Sequence, residues 1–176
     1  EIDYVTIATT GNATDFGDLT AATSYSAALA NGVRGIRGGG KLSGGSQVNV
    51  IDYVTVASTG NAVDFGDTIA NLYNSAGSSG ETRGLFMTGN GTNVIQYITI
   101  ATPGNATDFG DMLSVVESGG AGSNNSRIVY GGGYAGSGPA ISNIIQYVTI
   151  ANTGNATDFG DLTVARMSYL GCASGD

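Results

Sequence analysis

One fifteen-residue block recurs four times along the chain, and this recurrence limits the fold more than any other feature. Tyr4-Val-Thr-Ile-Ala-Thr-Thr-Gly-Asn-Ala-Thr-Asp-Phe-Gly-Asp18 returns, with small changes, from Tyr53, Tyr97 and Tyr147. The repeats lie 49, 44 and 50 residues apart. From the tyrosine to the first aspartate is 11 residues in every copy. From the second aspartate to an arginine is 16 residues in each complete interval, ending at Arg34, Arg83 and Arg127. Only the stretch from that arginine to the next tyrosine varies, at 19, 14 and 20 residues. A fixed frame with one elastic connection marks a repeat architecture, because insertions gather in loops away from the packed faces. The chain is therefore one repeat domain, 1–176, with units at 1–18 (partial), 19–67, 68–111, 112–161 and 162–176 (partial). The 16-residue rule puts the next arginine just past Asp176, so the chain reads as beginning and ending inside a repeat. A longer chain, a unit completed by another subunit, and an open array all stay open as readings of that.

Inside a unit the texture is that of strands. Val48 to Ala57 is β-branched and aromatic with a period of two, so Ile51 and Tyr53 share one face and Asp52 and Val54 the other. Gly60-Asn61 supplies a turn, since both residues tolerate positive φ. Ala62 to Phe65 reads as a short strand ending at a Gly66-Asp67 corner, Thr68 to Ser78 as a third strand, and Arg83 to Met87 as a fourth. Leu113 to Glu117 has a helical look, but the same register is strand-like in the other copies. Four short strands in each unit of this length are the pattern of a β-propeller blade.

Composition decides between this and its rivals. The chain has 30 glycines, yet 41% of it is hydrophobic and those residues sit in regular blocks, which a disordered chain does not show. It has no histidine, which removes the commonest general base and the Ser-His-Asp triad. A single cysteine, Cys172, excludes an internal disulfide framework and multi-cysteine zinc sites. Six basic against 14 acidic residues, a net charge of -8, argue against nucleic acid as a partner. No apolar run is long enough for a membrane-spanning helix.

The repeated polar residues have structural readings that outweigh functional ones. Asp15, Asp18 and their equivalents supply eight of the 14 acids. They read as turn caps, with a calcium site at Asp15 and Asp18 as the weaker alternative. Asp-Phe-Gly occurs four times without the other kinase signatures, so it is not one. Arg34, Arg83 and Arg127 read as structural ion-pair or carbonyl contacts to a neighbouring unit rather than as anion ligands. Tyr4, Tyr53, Tyr97 and Tyr147, with Phe16, Phe65, Phe109 and Phe159, read as packing between units. The aromatics Tyr25, Tyr73, Tyr130, Tyr134 and Tyr169 fall outside that pattern and read as better candidates for recognition.

Two resemblances follow from these residues. Arg34-Gly-Ile-Arg-Gly-Gly-Gly40 and Arg127-Ile-Val-Tyr-Gly-Gly-Gly133 resemble the glycine-terminated strand of kelch repeats, with Phe65 and Phe159 where kelch carries tryptophan. This implies a kelch-like β-propeller of about four blades, incomplete or open. The run Gly11-Asn-Ala-Thr-Asp-Phe-Gly-Asp-Leu19 also resembles repeats of structural proteins of tailed bacteriophages. That resemblance implies a non-enzymatic virion protein, a fibre, appendage or decoration component of an extracellular particle. Its partners would be other virion proteins, copies of itself, or host-surface glycans, and it would need no cofactor. The variable loops at 41–48, 88–93 and 134–143 are the expected recognition face, with Ser43, Ser46, Asn90, Thr92, Tyr134 and Ser137 as binding residues. A carbohydrate-binding propeller module of a larger secreted protein, and a self-assembling repeat spacer, are the alternatives.

Overall fold

The computed structural model describes residues 1–135 and 140–168. Among them the chain is all-β, with no helix and sixteen short strands. The partial first unit contributes β1 (Ile2–Tyr4) and β2 (Thr14–Gly17). Next come β3 (Thr23–Ser24), β4 (Ala27–Ala30), β5 (Arg34–Gly38), β6 (Lys41–Leu42), β7 (Val50–Thr55) and β8 (Val63–Asp67). The following unit holds β9 (Ala76–Ser79), β10 (Arg83–Gly89), β11 (Thr92–Thr99) and β12 (Thr107–Asp111). The last described set is β13 (Gly120–Ser123), β14 (Arg127–Gly131), β15 (Ile144–Thr149) and β16 (Thr157–Asp161).

These strands make three four-stranded antiparallel sheets in the orders β4-β5-β7-β8, β9-β10-β11-β12 and β13-β14-β15-β16. Two smaller sheets, β1-β2 and β3-β6, complete the set. Each large sheet is a meander, as expected for strands joined by short turns. The tightest turn is Asn90-Gly91, both at positive φ (55° and 70°), which joins β10 to β11 directly. That Asn-Gly hairpin is why this interval is the shortest of the three.

The core lies between successive sheets. Ala27, Leu29, Ile36, Ile51 and Phe65 of the first large sheet meet Phe86, Ile98 and Ile100 of the second. From the other face of the second, Leu85, Met87, Ile95 and Phe109 meet Ile128, Tyr130, Val148 and Ile150 of the third. Adjacent residues on β10, Leu85 and Phe86, thus point into different cores, as the two-residue period of a strand requires. Close approach needs small residues: a Cβ on Gly38 would lie 2.6 Å from the Phe86 ring.

Two sequence expectations change here. The Asp-Phe-Gly-Asp element does end its strand, at Asp67, Asp111 and Asp161, but it does so through a β-bulge rather than a simple corner. Ile51 pairs with Gly66 and Asp52 with Asp64, so Phe65 is the extra residue; the same shift recurs at Ile95/Gln96 and Ile145/Gln146. A bulge adds a local kink that re-aims a side chain, here the phenylalanine toward the next sheet. The Thr68–Ser78 stretch is a strand only from Ala76; its first part is an irregular link whose backbone bonds to neighbouring units. The helical look of Leu113–Glu117 has no counterpart, since no helix forms there.

The links also form a chain of their own. Tyr25, Asn74, Ser118 and Ser168 occupy equivalent positions and all have positive φ, between 55° and 72°. Asn74 N donates to the Tyr25 carbonyl at 3.1 Å, Ser118 N to Asn74 at 2.9 Å, and Ser168 N to Ser118 at 2.9 Å. The first strands of the large sheets follow the same line: β9 lies against both β4 and β13.

Candidate functional site

The repeated residues converge on one feature, a clasp between each unit and the next. The Gly-Asn-Ala segment that makes it is not the expected positive-φ turn: Gly60 is extended at φ 159°, Asn61 is not at positive φ, and the turn lies just before, at Val56–Ser58. Gly60 N donates to the Phe16 carbonyl and Ala62 N to that of Asp18, both at 2.8 Å. In return Asp18 N donates to Asn61 Oδ1 at 3.0 Å. The pattern recurs with Gly104, Asn105 and Ala106 on Phe65 and Asp67 (2.7, 3.0 and 2.8 Å). It recurs again with Gly154, Asn155 and Ala156 on Phe109 and Asp111 (2.7, 3.0 and 2.7 Å). The glycine of Asp-Phe-Gly-Asp makes room for this: a Cβ on Gly17, Gly66 or Gly110 would lie 2.4 to 2.6 Å from the glycine carbonyl it faces. Their φ values, 143° to 149°, are equally closed to other residues.

In the last two copies the first aspartate of the element is a local cap: Asp108 and Asp158 accept the N–H groups of Gly110 and Gly160 at 3.2 and 3.1 Å. The turn expectation covers that, but the asparagine's part in joining units is additional. Its signal was available, since Gly-Asn-Ala recurs as strictly as Asp-Phe-Gly-Asp does.

Around the clasp stands an aromatic and cationic stack. Each tyrosine meets its own unit's phenylalanine edge to face, at 6.0 Å for Tyr4–Phe16, 5.7 Å for Tyr53–Phe65, 5.8 Å for Tyr97–Phe109 and 5.9 Å for Tyr147–Phe159. Such T-shaped pairs gain from the ring quadrupoles as well as from burial. Arg34, Arg83 and Arg127 lie over the faces of Tyr53, Tyr97 and Tyr147 at 4.4, 4.8 and 4.5 Å. Arg34 Nη1 reaches the Ile100 carbonyl at 2.7 Å, and Arg83 Nη1 those of Ile150 and Ala151 at 2.9 Å. These carbonyls belong to the next unit. Arg34 and Arg83 therefore make carbonyl contacts between units, and no aspartate of a neighbouring unit pairs with any of the three arginines among the described residues.

One unit departs from this frame. Arg37 donates from Nε and Nη2 to the Asp52 carboxylate at 2.8 and 2.7 Å, where the equivalent pairs are Phe86 with Gln96 and Tyr130 with Gln146. Burial by itself would raise the Asp52 carboxyl. Hydrogen bonds from Arg37 and Thr20, with the guanidinium charge, outweigh it and hold the pKa below the ordinary value. Asp52 also accepts the Thr20 backbone N–H at 3.2 Å, just as Gln96 and Gln146 accept those of Ile69 and Leu113 at 2.8 Å. Tyr130, expected in recognition, is instead fully buried at the position of Arg37 and Phe86.

The expected binding residues do not form one cluster. Ser43 and Ser46 lie between β5 and β7, Asn90 in the turn between β10 and β11 with Thr92 opening β11, and Tyr134 after β14, so they belong to three different sheets. Ser43, Ser46 and Thr92 are exposed, Asn90 and Tyr134 half-buried, and Ser137 lies outside the described residues. Asn90 Nδ2 is spent on the Asn71 carbonyl (3.0 Å), and the Tyr134 backbone bridges Glu117 and Ile141. Tyr169 and Cys172 also lie outside the described residues. What the sequence did not single out is Lys41, whose ammonium stands 3.7 Å from the Tyr73 ring centre and 6.0 Å from that of Tyr25.

Of Asp15 and Asp18, only Asp15 joins a cluster of acidic groups among the described residues. Asp15 groups with Glu1 and Asp3, their carboxylates within 4.8 Å of one another and all exposed, while Asp18 lies 3.4 Å from the Glu1 amino group. No other unit repeats this group, because Val50, Val94 and Ile144 stand at the position of Glu1. No helix of the described residues is long and apolar enough to cross a membrane. No protein-family model matches the chain, and no curated protein matches it.

Proposed function

We propose that the chain is a non-enzymatic structural repeat protein of a bacteriophage virion, a fibre, appendage or decoration component on the outside of the particle. One observation carries the non-enzymatic part of this reading. Apart from Gly11-Asn12-Ala13, the recurring Tyr, Phe, Gly-Asn-Ala and Arg residues are engaged in packing or hydrogen bonds within and between units, so the repeated chemistry is used in holding the array together. The virion assignment rests on the phage-like repeat sequence. The three large sheets and the β1-β2 pair read as blades of a kelch-like propeller. Support for that comes from the side-by-side first strands and from clasps that recur at every junction.

The loops between second and third strands are left for contacts with host-surface glycans or with other virion proteins. Immunogold electron microscopy with antibody to the purified chain tests the location. Gold on the exterior of phage particles is the expected result, and antigen found only apart from particles overturns it.

The second reading is a carbohydrate-binding propeller module of a larger secreted protein. It is favoured by Tyr25, 50% exposed, standing with Tyr73 beside the Lys41 ammonium. Glycan binding by the chain within a larger secreted protein, with no label on particles, selects that reading instead.

A further inference from the structure

Among the described residues the clasp leaves one acceptor edge and one Gly-Asn-Ala segment unused, and they match. Phe159-Gly160-Asp161 on β16 carries the sequence and the bulge of the three edges that hold such a segment. Gly160 has the same strained backbone, at φ 135°. Yet none of the described residues lies within 4 Å of where its Cβ would be, whereas Gly17, Gly66 and Gly110 each face the carbonyl of the glycine in the next Gly-Asn-Ala segment. Phe159 is 56% exposed, against 2% for Phe65 and Phe109. On the other side, Gly11-Asn12-Ala13 repeats the Gly-Asn-Ala segment and is exposed, with no edge upon it among the described residues.

Two further groups follow the same pattern. Ile7 occupies the position of Ile100 and Ile150, which are 1% and 4% exposed against the preceding sheet, but Ile7 itself is 98% exposed. Arg127 is stacked on Tyr147 like its equivalents, but it donates to no carbonyl of a following unit among the described residues.

From this complementarity we propose that two copies of the chain associate head to tail, the Gly11–Ala13 segment of one seating on the Phe159–Asp161 edge of the other. The junction would reproduce the three already inside the chain. Gly11 N and Ala13 N would donate to the Phe159 and Asp161 carbonyls, Asp161 N would donate to Asn12 Oδ1, Ile7 would cover Phe159, and Arg127 would reach the Ile7 carbonyl. The two surfaces differ, so the contact is heterologous: it closes into a ring if the curvature allows, and otherwise extends as a filament. It does not depend on the virion reading, because it concerns only the chain's own surfaces. Failure of the immunogold test leaves it standing, and its own failure leaves the location untouched.

The test uses sedimentation velocity on the purified chain over a wide concentration range. The expected result is a species larger than the 17.6 kDa monomer that grows with concentration. Ala13→Pro removes one donor, and Gly160→Val blocks the edge; each alone should sediment as a monomer while its circular dichroism stays that of the parent. Mixed one to one, they retain one good segment and one good edge between them, so the mixture should form a dimer and grow no further. Asn12→Ala, on an exposed side chain that the monomer does not use, should weaken association about ten-fold by removing one hydrogen bond. A parent chain that stays monomeric at every concentration overturns the proposal. So does association undiminished by both blocking variants, or a mixture no larger than its parts.

Discussion

Exchanging the Arg37–Asp52 pair for the residues other units carry in its place should leave stability nearly unchanged, while either half of the exchange should damage it. The Asp52 side chain is 0% exposed and that of Arg37 10%. The carboxylate takes two bonds from the guanidinium, at 2.8 and 2.7 Å, and two from Thr20, at 3.2 and 2.6 Å. Arg37→Phe removes the first two and the counter-charge. Breaking a buried pair in this way costs about 3–5 kcal/mol. Asp52→Gln strands the guanidinium, but Arg37 Nη1 keeps Thr23 Oγ1 at 2.6 Å and the Gly39 carbonyl at 2.7 Å. Its cost should fall at the low end, about 3 kcal/mol.

The double variant restores the arrangement of Phe86 with Gln96, where Gln96 Oε1 takes the backbone N–H of Ile69 at 2.8 Å. Replacing a buried ion pair by a neutral, well-packed set is often close to neutral. The double variant should therefore lie within about 1.5 kcal/mol of the parent. The implied coupling is at least about 4.5 kcal/mol, above the range usual for residues in contact, as breaking a buried ion pair on one side only requires. Urea denaturation followed by circular dichroism and tyrosine fluorescence reads this out, there being no tryptophan in the chain. A double variant as unstable as the two single losses added together would refute the claim that the three positions are structurally equivalent.

Other outcomes follow from the same geometry. Gly66→Ala places a Cβ 2.6 Å from the Gly104 carbonyl at φ 143°, and should cost at least about 2 kcal/mol in the same denaturation assay. Phe109→Ala empties a site between two sheets and should cost about 3–5 kcal/mol, whereas Phe159→Ala, measured on the dilute monomer, should cost under about 1 kcal/mol. Because Asp52 has a lowered pKa when folded, its contribution is present above the unfolded carboxylate value of about 4 and is lost as pH falls through that value toward the lowered one. The melting temperature of the parent should therefore drop more steeply between pH 5 and about 3 than that of the Arg37→Phe/Asp52→Gln variant, by calorimetry.

The parts of this fold legible in the sequence are those that recur at constant spacing. The separation of 11 residues from Tyr to Asp places Tyr and Phe on paired strands, and they form the same edge-to-face contact in all four units. The arginine's constant distance from the aspartates marks it as part of the frame, and its carbonyl contacts agree. The bulge was not legible, because Gly next to Asp also signals a turn and the deciding factor is the neighbouring unit's backbone. Asn61 looked like half of a turn for a related reason: its side chain acts on Asp18, 43 residues away. Tyr130 was misplaced because it differs from Arg37 and Phe86 in kind, although it lies three residues after its arginine as they do. The loop residues Ser43, Ser46, Asn90, Thr92 and Tyr134 were chosen by composition, and composition says nothing of whether loops converge.

The central claim is that Gly-Asn-Ala segments seated on Phe-Gly-Asp edges join the units. Residue-resolved amide hydrogen exchange on the dilute monomer tests it directly. The account predicts slow exchange at Gly60, Ala62, Gly104, Ala106, Gly154 and Ala156, and fast exchange at the sequence-matched Gly11 and Ala13. Equal exchange at all eight would contradict it, since the six amides would then be no better held than a segment with nothing upon it.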